Sequence, residues 1–468
     1  MSQNESDEID LSVDRHAGRD DADHEAAEEQ ELARSNRNRV RVLLGSSLLQ
    51  LPIWGFSMSF GVFQEFFSDP SNSHTGLRGS HSATGVIGTT SNGVIYLSMP
   101  FLFAALSQQR ACVRHVVAFA GIAFICLSYF LSSFSTYIWQ VIATQGVLAA
   151  FGSALLASPT TLFLGECFAT SNRAVAYGVM LSAKNIVGST CPFLLRGLLD
   201  RYGFRITMRI WTAIVTGSSL FAMWIFLTAS LTKYRARRHT RARIAWQFLK
   251  HQTFYIYSIA TMMQSSGYGI PQTYLNTYAH DAASLSQASA TLLLTLFNLP
   301  GIISCSFFGY LSDNKRYPLS ATTTTCISSL SSALSVFLLW GLASPSSGSM
   351  AILMLFSITF GFFAGGYSST WGGIITQMER EAAERNEPVD TGVLYGLLNG
   401  ARGLGYVSGG LAGVPLLKTG NTAHRGRAGY GTEYGPLIVF TGLSLVFGGW
   451  SIMWQCKKLS RWIRCFLT

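Results

Sequence analysis

Two cations sit where a charge is costly to keep. Lys184 lies 11 residues after Arg173 and 12 before Arg196, and Arg402 lies 12 past Asp390 and 16 before Lys418, each inside a long apolar run. If those runs are bilayer-crossing helices, a rise of about 1.5 Å per residue sets each cation roughly 16 Å from the nearer end, beyond comfortable snorkelling. A charge at the bilayer centre costs about 2.5–3.5 kcal/mol or more, so it must face a cavity or a partner. Carboxylates do not supply that partner. Past residue 42 the acids are Glu65, Asp69, Glu166, Asp200, Asp281, Asp313, Glu379, Glu381, Glu384, Glu387, Asp390 and Glu433, and all lie in loops or near the ends of apolar runs. The chemistry this implies is reversible binding of an anion supplied from solution. Arg402 suits a carboxylate because its planar fork can engage both oxygens. A structural alternative stays open, in which carbonyls, water or, for Lys184, loss of the proton neutralise each site.

Other groups inside the runs join these two as candidates. Gln64, Gln145, Gln264, Asn298 and Asn399 each need a hydrogen bond, from a neighbouring helix or from a substrate. Trp54, Tyr268 and Trp371 suit a ring-containing or amphipathic substrate, and helix packing explains them almost as well. Glu65, at the end of the first run, could act as a protonation switch or form an interfacial salt bridge. The substrate-binding set is therefore Arg402, Lys184, Tyr177, Tyr395, Asn399, Gln264, Asn298, Trp54 and Trp371, with Glu65, Asp313 and Arg316 as coupling or gating groups. No Walker loop, H-E-x-x-H or C-x-x-C occurs, so neither a metal nor a cofactor is expected, nor an enzyme.

The elements that must hold these residues follow from composition. Of 468 residues, 49% are hydrophobic and 12% charged, about half the charge of an ordinary soluble chain. Residues 1–31 hold 12 of the 24 acids, which leaves the rest of the chain strongly basic. Spanning a bilayer takes about 20 apolar residues, and twelve such runs are present: 42–66, 85–106, 113–134, 138–164, 174–195, 206–231, 252–278, 288–311, 319–343, 349–376, 391–417 and 434–456. The fold class expected is an all-α membrane protein of twelve transmembrane helices in two pseudo-symmetric six-helix halves. Its parts are a disordered acidic tail (1–41), an N-terminal bundle (42–231), a basic loop (232–251), a C-terminal bundle (252–456) and a basic tail (457–468). With the N-terminus inside, 22 Lys and Arg fall in cytosolic segments and eight outside, which puts both termini in the cytosol. The basic stretch Lys233–Lys250 reads as a contact with anionic lipid rather than nucleic acid. The eight cysteines form no disulfide framework.

The halves repeat. Tyr177-Gly178 in the fifth run precedes Ala183-Lys184, and Tyr395-Gly396 in the eleventh precedes Ala401-Arg402, with the cation seven residues after the tyrosine in both. A weaker correspondence links Gly309-Tyr310-Leu311-Ser312-Asp313-Asn314-Lys315-Arg316 with Ala104–Arg110. Gly405, Gly409 and Gly413 read as a helix-packing stripe.

The G-x-L-x-D pattern at Gly309–Asp313 resembles the loop signature of the major facilitator superfamily. FGVFQEFF (60–67), TQGVL (144–148), AYGVM (176–180), RYGFRITMRIW (201–211) and LLNGARG (397–403) are similar to the fungal branch of its monocarboxylate-porter-like family. The resemblance covers residues 42–456. It implies two rocking halves around a central cavity, a charge latch at Asp313, Lys315 and Arg316, and substrates among organic anions, vitamins or secondary metabolites. Animal monocarboxylate porters are implied to use an Asp/Arg pair in the eighth span, and this eighth run has neither residue. The function expected is a secondary transporter of a small organic anion, working as a monomer in the plasma membrane. Two alternatives stand beside it: an exporter of a fungal secondary metabolite or toxin, and a non-transporting nutrient sensor.

Overall fold

A lipid-exposed backbone must satisfy its own hydrogen bonds, which leaves helices as the economical answer for runs this apolar. The computed structural model describes residues 35–68, 78, 85–168, 173–233, 246–313, 319–343, 348–420 and 428–454, and these fold into twelve helices. We number them α1 (35–68), α2 (Gly85–Ser107), α3 (Ala111–Ser132) and α4 (Ile138–Cys167). The segment Arg173–Lys233 is two helices, α5 (173–202) and α6 (204–233), meeting at Gly203, whose φ of 70° suits a residue without a Cβ. The second set is α7 (Gln252–Asp281), α8 (Gln287–Asp313), α9 (Ala321–Trp340), α10 (Ser349–Ala383), α11 (Thr391–Gly420) and α12 (Gly435–Trp454).

Each of the twelve expected runs is thus a helix, with shifted ends. Residues 35–41 of the expected disordered tail are helical, and α1 carries Arg37, Arg39 and Arg41. Residues 247–250 of the expected basic loop form a short 3-10 turn whose Phe248 is buried against Phe254. The acidic tail up to residue 34, most of the basic loop, the basic tail (457–468) and Arg316 lie outside the described residues. Among the described residues, eight helical segments are long and apolar enough to cross a membrane, one of them the joined α5 and α6. Among the described residues, α7 and α11 fall short. They pack on each other, and α11 also on α2, so their polar side chains meet protein rather than hydrocarbon.

Across the halves, α5 lies along α8 and α2 along α11. The repeated Tyr-Gly explains how they come so close. A Cβ on Gly178 would stand 2.9 Å from the Cys305 carbonyl oxygen of α8, and one on Gly396 would stand 2.7 Å from Phe103 Cβ of α2. One turn from Gly178, Ser182 Oγ donates to the Ile302 carbonyl at 2.5 Å. The stripe of Gly405 and Gly409 packs α11 on α7, where Ser266 Oγ donates to the Gly405 carbonyl at 3.2 Å.

Buried polar groups tie individual helices. Arg114 is fully buried at the start of α3, where its guanidinium donates to the Leu106 and Ser107 carbonyls and pairs with Glu166 of α4 at 2.8 Å. The TQGVL motif lies in a π-helical stretch of α4, Ile142–Leu148, from which Gln145 donates to Ser132 Oγ of α3 at 2.5 Å. At one end of the bundle, Arg173 pairs with Glu379 of α10 at 3.4 Å and Gln108 donates to Asp390 at 3.3 Å. At the other end, Arg196 of α5 pairs with Glu65 of α1 at 3.3 Å and hydrogen-bonds Gln287 of α8.

Candidate functional site

The two repeats meet in the middle of the bundle. Tyr177 and Tyr395 stack on each other with ring centroids 4.8 Å apart and planes 15° from parallel. Two turns further along α5 and α11, Lys184 and Arg402 reach a common small cavity. Helical spacing makes this inevitable once Gly178 and Gly396 fix the helices against the opposite half, because seven residues is about two turns.

Both cations are buried, at 8% exposure for Lys184 and 6% for Arg402. Their partners are aromatic. Lys184 Nζ sits 3.7 Å from the centroid of the Trp54 ring and donates to Tyr96 Oη at 3.0 Å. The Arg402 guanidinium carbon lies 5.2–5.8 Å from the ring centroids of Tyr96, Tyr268, Tyr406 and Trp371. A cation over an aromatic face gains about 2 kcal/mol or more when desolvated, comparable to the cost of placing it there. Neither cation takes part in an ion pair among the described residues. The buried Nε of Arg402 and Nε1 of Trp371 have no hydrogen-bond partner. Two buried donors at the cavity are thus left unmatched among the described residues.

Local backbone geometry places Trp371. α10 tightens into a 3-10 turn at Tyr367–Thr370 just before it, so Ser368 and Trp371 both line the cavity. Such a mid-helix departure commonly marks a functional position.

Of the nine substrate-binding candidates, Trp54, Lys184, Trp371, Tyr395, Asn399 and Arg402 line this cavity. Tyr177 lies behind Tyr395. Gln264 and Asn298 are elsewhere. Asn298 Nδ2 donates to the Gly188 carbonyl of α5 at 3.3 Å, and Gln264 packs on Gly448 of α12, so both sit in helix seams. Glu65 is likewise outside the lining, paired with Arg196. Asp313 ends α8. Sequence reasoning missed Tyr96, which touches both cations, and Gln50 and Thr161, which line the cavity. It also missed Tyr406, although a residue four past Arg402 must share its helix face.

The profile of the Major Facilitator Superfamily matches residues 42–410. The chain belongs to this superfamily. It is an integral, multi-pass membrane protein of a transporter family and not an enzyme. Among its relatives, the MFS-type transporter hasB of Aspergillus fumigatus is 23% identical over 418 residues, covering 86% of each chain. The MFS transporter asaE of Aspergillus flavus is 22% identical, over 87% of this chain and 84% of its own. Rat monocarboxylate transporter 13 is 26% identical over 65% of each chain. Fungal transporters and a monocarboxylate transporter are what the sequence resemblance led us to expect. The crystal structure of a point mutant of the nucleoside transporter NupG superimposes with a TM-score of 0.60 at 14% identity, covering 89% of this chain and 99% of that one. This likeness agrees with two six-helix halves of the superfamily fold.

Proposed function

We propose that this superfamily member is a secondary transporter that moves a small organic anion, a monocarboxylate or another carboxylate-bearing metabolite, by alternating access. One observation carries the reading: each half delivers a buried cation to the same cavity, and no described carboxylate pairs with either. A bound carboxylate would accept from Lys184 and from Arg402 together, and so would draw the two halves inward. Asn399, on the α11 face that carries Arg402, adds a polar contact to the lining. Release requires one end of the bundle to open. The Tyr177–Tyr395 stack and the Arg173–Glu379 pair close one end, while Arg196 with Glu65 and Gln287 holds the other.

The bias of Lys and Arg among the loops supports cytosolic termini, which makes the Arg173–Glu379 end the cytosolic one. The cavity is completed within a single chain, which supports a working monomer. We assign the plasma membrane, where an anion can be exchanged with the medium.

The test is uptake of radiolabelled pyruvate and benzoate into proteoliposomes containing the wild type or Arg402→Ala, with equal amounts of inserted protein. Arg402→Ala should abolish uptake of whichever anion the wild type carries. Uptake unchanged by the substitution would overturn the reading.

A further inference from the structure

The cavity walls say more about the substrate than the two charges do. Each half contributes one cation and one aromatic wall. From the N-terminal half come Lys184 with Trp54 and Tyr96, whose rings lie 5.0 Å apart. From the C-terminal half come Arg402 with Trp371 and Tyr395, whose rings meet edge to face at 5.8 Å. Both walls flank Arg402, whose guanidinium carbon is 5.2 Å from the Tyr96 centroid and 5.8 Å from that of Trp371.

Three polar groups of the lining are donors only, beside the amides and hydroxyls of Gln50, Thr161, Ser368 and Asn399, which can also accept. Lys184 can only donate, and so can Arg402 and the indole of Trp371. The last two hold buried N–H groups without an acceptor. A ligand that satisfies this set must be rich in acceptors at one end. A flat aromatic body elsewhere suits the walls, because offset-stacked or edge-to-face aromatic pairs gain about 0.5–1.5 kcal/mol beyond the area they bury.

We infer that the ligand is a planar, conjugated carboxylate of the benzoate or cinnamate type, its carboxylate on Lys184 and Arg402 and its ring between the aromatic walls of the two halves. This rests on the anion reading above and sharpens it. The ring makes contacts that a small aliphatic acid cannot, and it makes them to both halves at once. Discrimination is therefore set by Trp54, Tyr96 and Trp371 rather than by the cations.

The experiment is a tryptophan-fluorescence titration of the purified full-length protein with four probes: benzoate, trans-cinnamate, cyclohexanecarboxylate and benzamide. Benzoate and cinnamate should bind about tenfold more tightly than cyclohexanecarboxylate, the excess expected for stacking on two walls. Benzamide should bind at least about a hundredfold more weakly than benzoate, because the charge-assisted contacts are lost. Trp371→Leu, read by thermal shift and by titration through the remaining tryptophans, should lower the ratio of benzoate to cyclohexanecarboxylate affinity several-fold, both acids losing the indole donor alike and benzoate alone losing the stacking wall. Equal binding of benzoate and cyclohexanecarboxylate would overturn the planar-ligand inference and leave the anion reading standing. Benzamide binding as tightly as benzoate would overturn the anion reading itself. No binding of any carboxylate would overturn both.

Discussion

Replacing Gly178 by alanine adds one methyl group at the contact between the two halves, and the structure fixes what that methyl meets. Its Cβ would stand 2.9 Å from the Cys305 carbonyl oxygen and 3.2 Å from Ser306 Cα, both backbone atoms of α8 that no rotamer change can move. Restoring an ordinary contact of about 3.4 Å needs the helices to part by roughly 0.5 Å. Overpacking of this kind costs about 1–3 kcal/mol. The same separation stretches the Ser182 hydrogen bond to the Ile302 carbonyl, which is worth about 0.5–1.5 kcal/mol. Against this, alanine gains about 1 kcal/mol over glycine in helix propensity. The net destabilisation expected is about 0.5–3.5 kcal/mol. Gly197 supplies the control, since it lies on the same helix with nothing within 4 Å of its Cβ position. Gly197→Ala should be neutral or stabilise by up to about 1 kcal/mol. Thermal unfolding in detergent and benzoate uptake in proteoliposomes would be measured for both variants. Gly178→Ala should melt lower and transport more slowly, while Gly197→Ala should match the wild type. Equal melting of the two variants would refute the claim that the Tyr-Gly repeat sets the spacing between the halves.

Three further outcomes follow from named contacts. Arg114→Met removes the donor to two carbonyls and to a partly exposed Glu166, so it should destabilise by about 3 kcal/mol, read as a lower melting temperature with Arg114→Lys only partly restoring it. Tyr177→Ala with Tyr395→Ala removes the stack proposed to close one end of the cavity; a cysteine at Thr161, which lines it, should then react several-fold faster with maleimide, and an unchanged rate would show that the stack is no barrier. Asn298→Ala breaks bonds to the Gly188 and Leu294 carbonyls and should cost about 1–3 kcal/mol of stability with anion affinity unaltered in a titration. A large affinity loss there would return Asn298 to the site.

The parts of this architecture carried by local spacing could be read in the sequence, and those carried by contacts between distant segments could not. Lys184 and Arg402 stood out because a mid-run cation is rare for energetic reasons, and the seven-residue offset from Tyr-Gly gave both the same depth. Tyr96 left no such mark. It matters because α2 packs on α11, and nothing in its own run distinguishes a tyrosine facing a cation from one facing lipid. Tyr406 was legible by its four-residue spacing from Arg402 and was overlooked. Gln264 and Asn298 show the converse problem. An amide inside a span needs a partner, but the sequence does not say whether a neighbouring helix or a substrate supplies it; Asn298 finds the Gly188 carbonyl of α5, while Gln264 packs on α12 with its Nε2 unmatched among the described residues. Arg114 was hidden at the start of an apolar run, where an arginine reads as a loop charge, although its carbonyl partners lie only seven and eight residues away. The inner helices α7 and α11 are less apolar than their neighbours because they carry polar side chains that meet each other rather than lipid, as Ser266 meets Ser408.

The central claim is that Lys184 and Arg402 bind the charge of an anion together. Isothermal titration of benzoate into the wild type and into a Lys184→Met, Arg402→Gln double variant addresses it most directly, with folding verified by thermal unfolding. Each charge-assisted contact is worth about 1.5–3 kcal/mol, so losing both should weaken binding by more than about a hundredfold. Benzoate binding within a few-fold of wild type in the folded double variant would contradict the account.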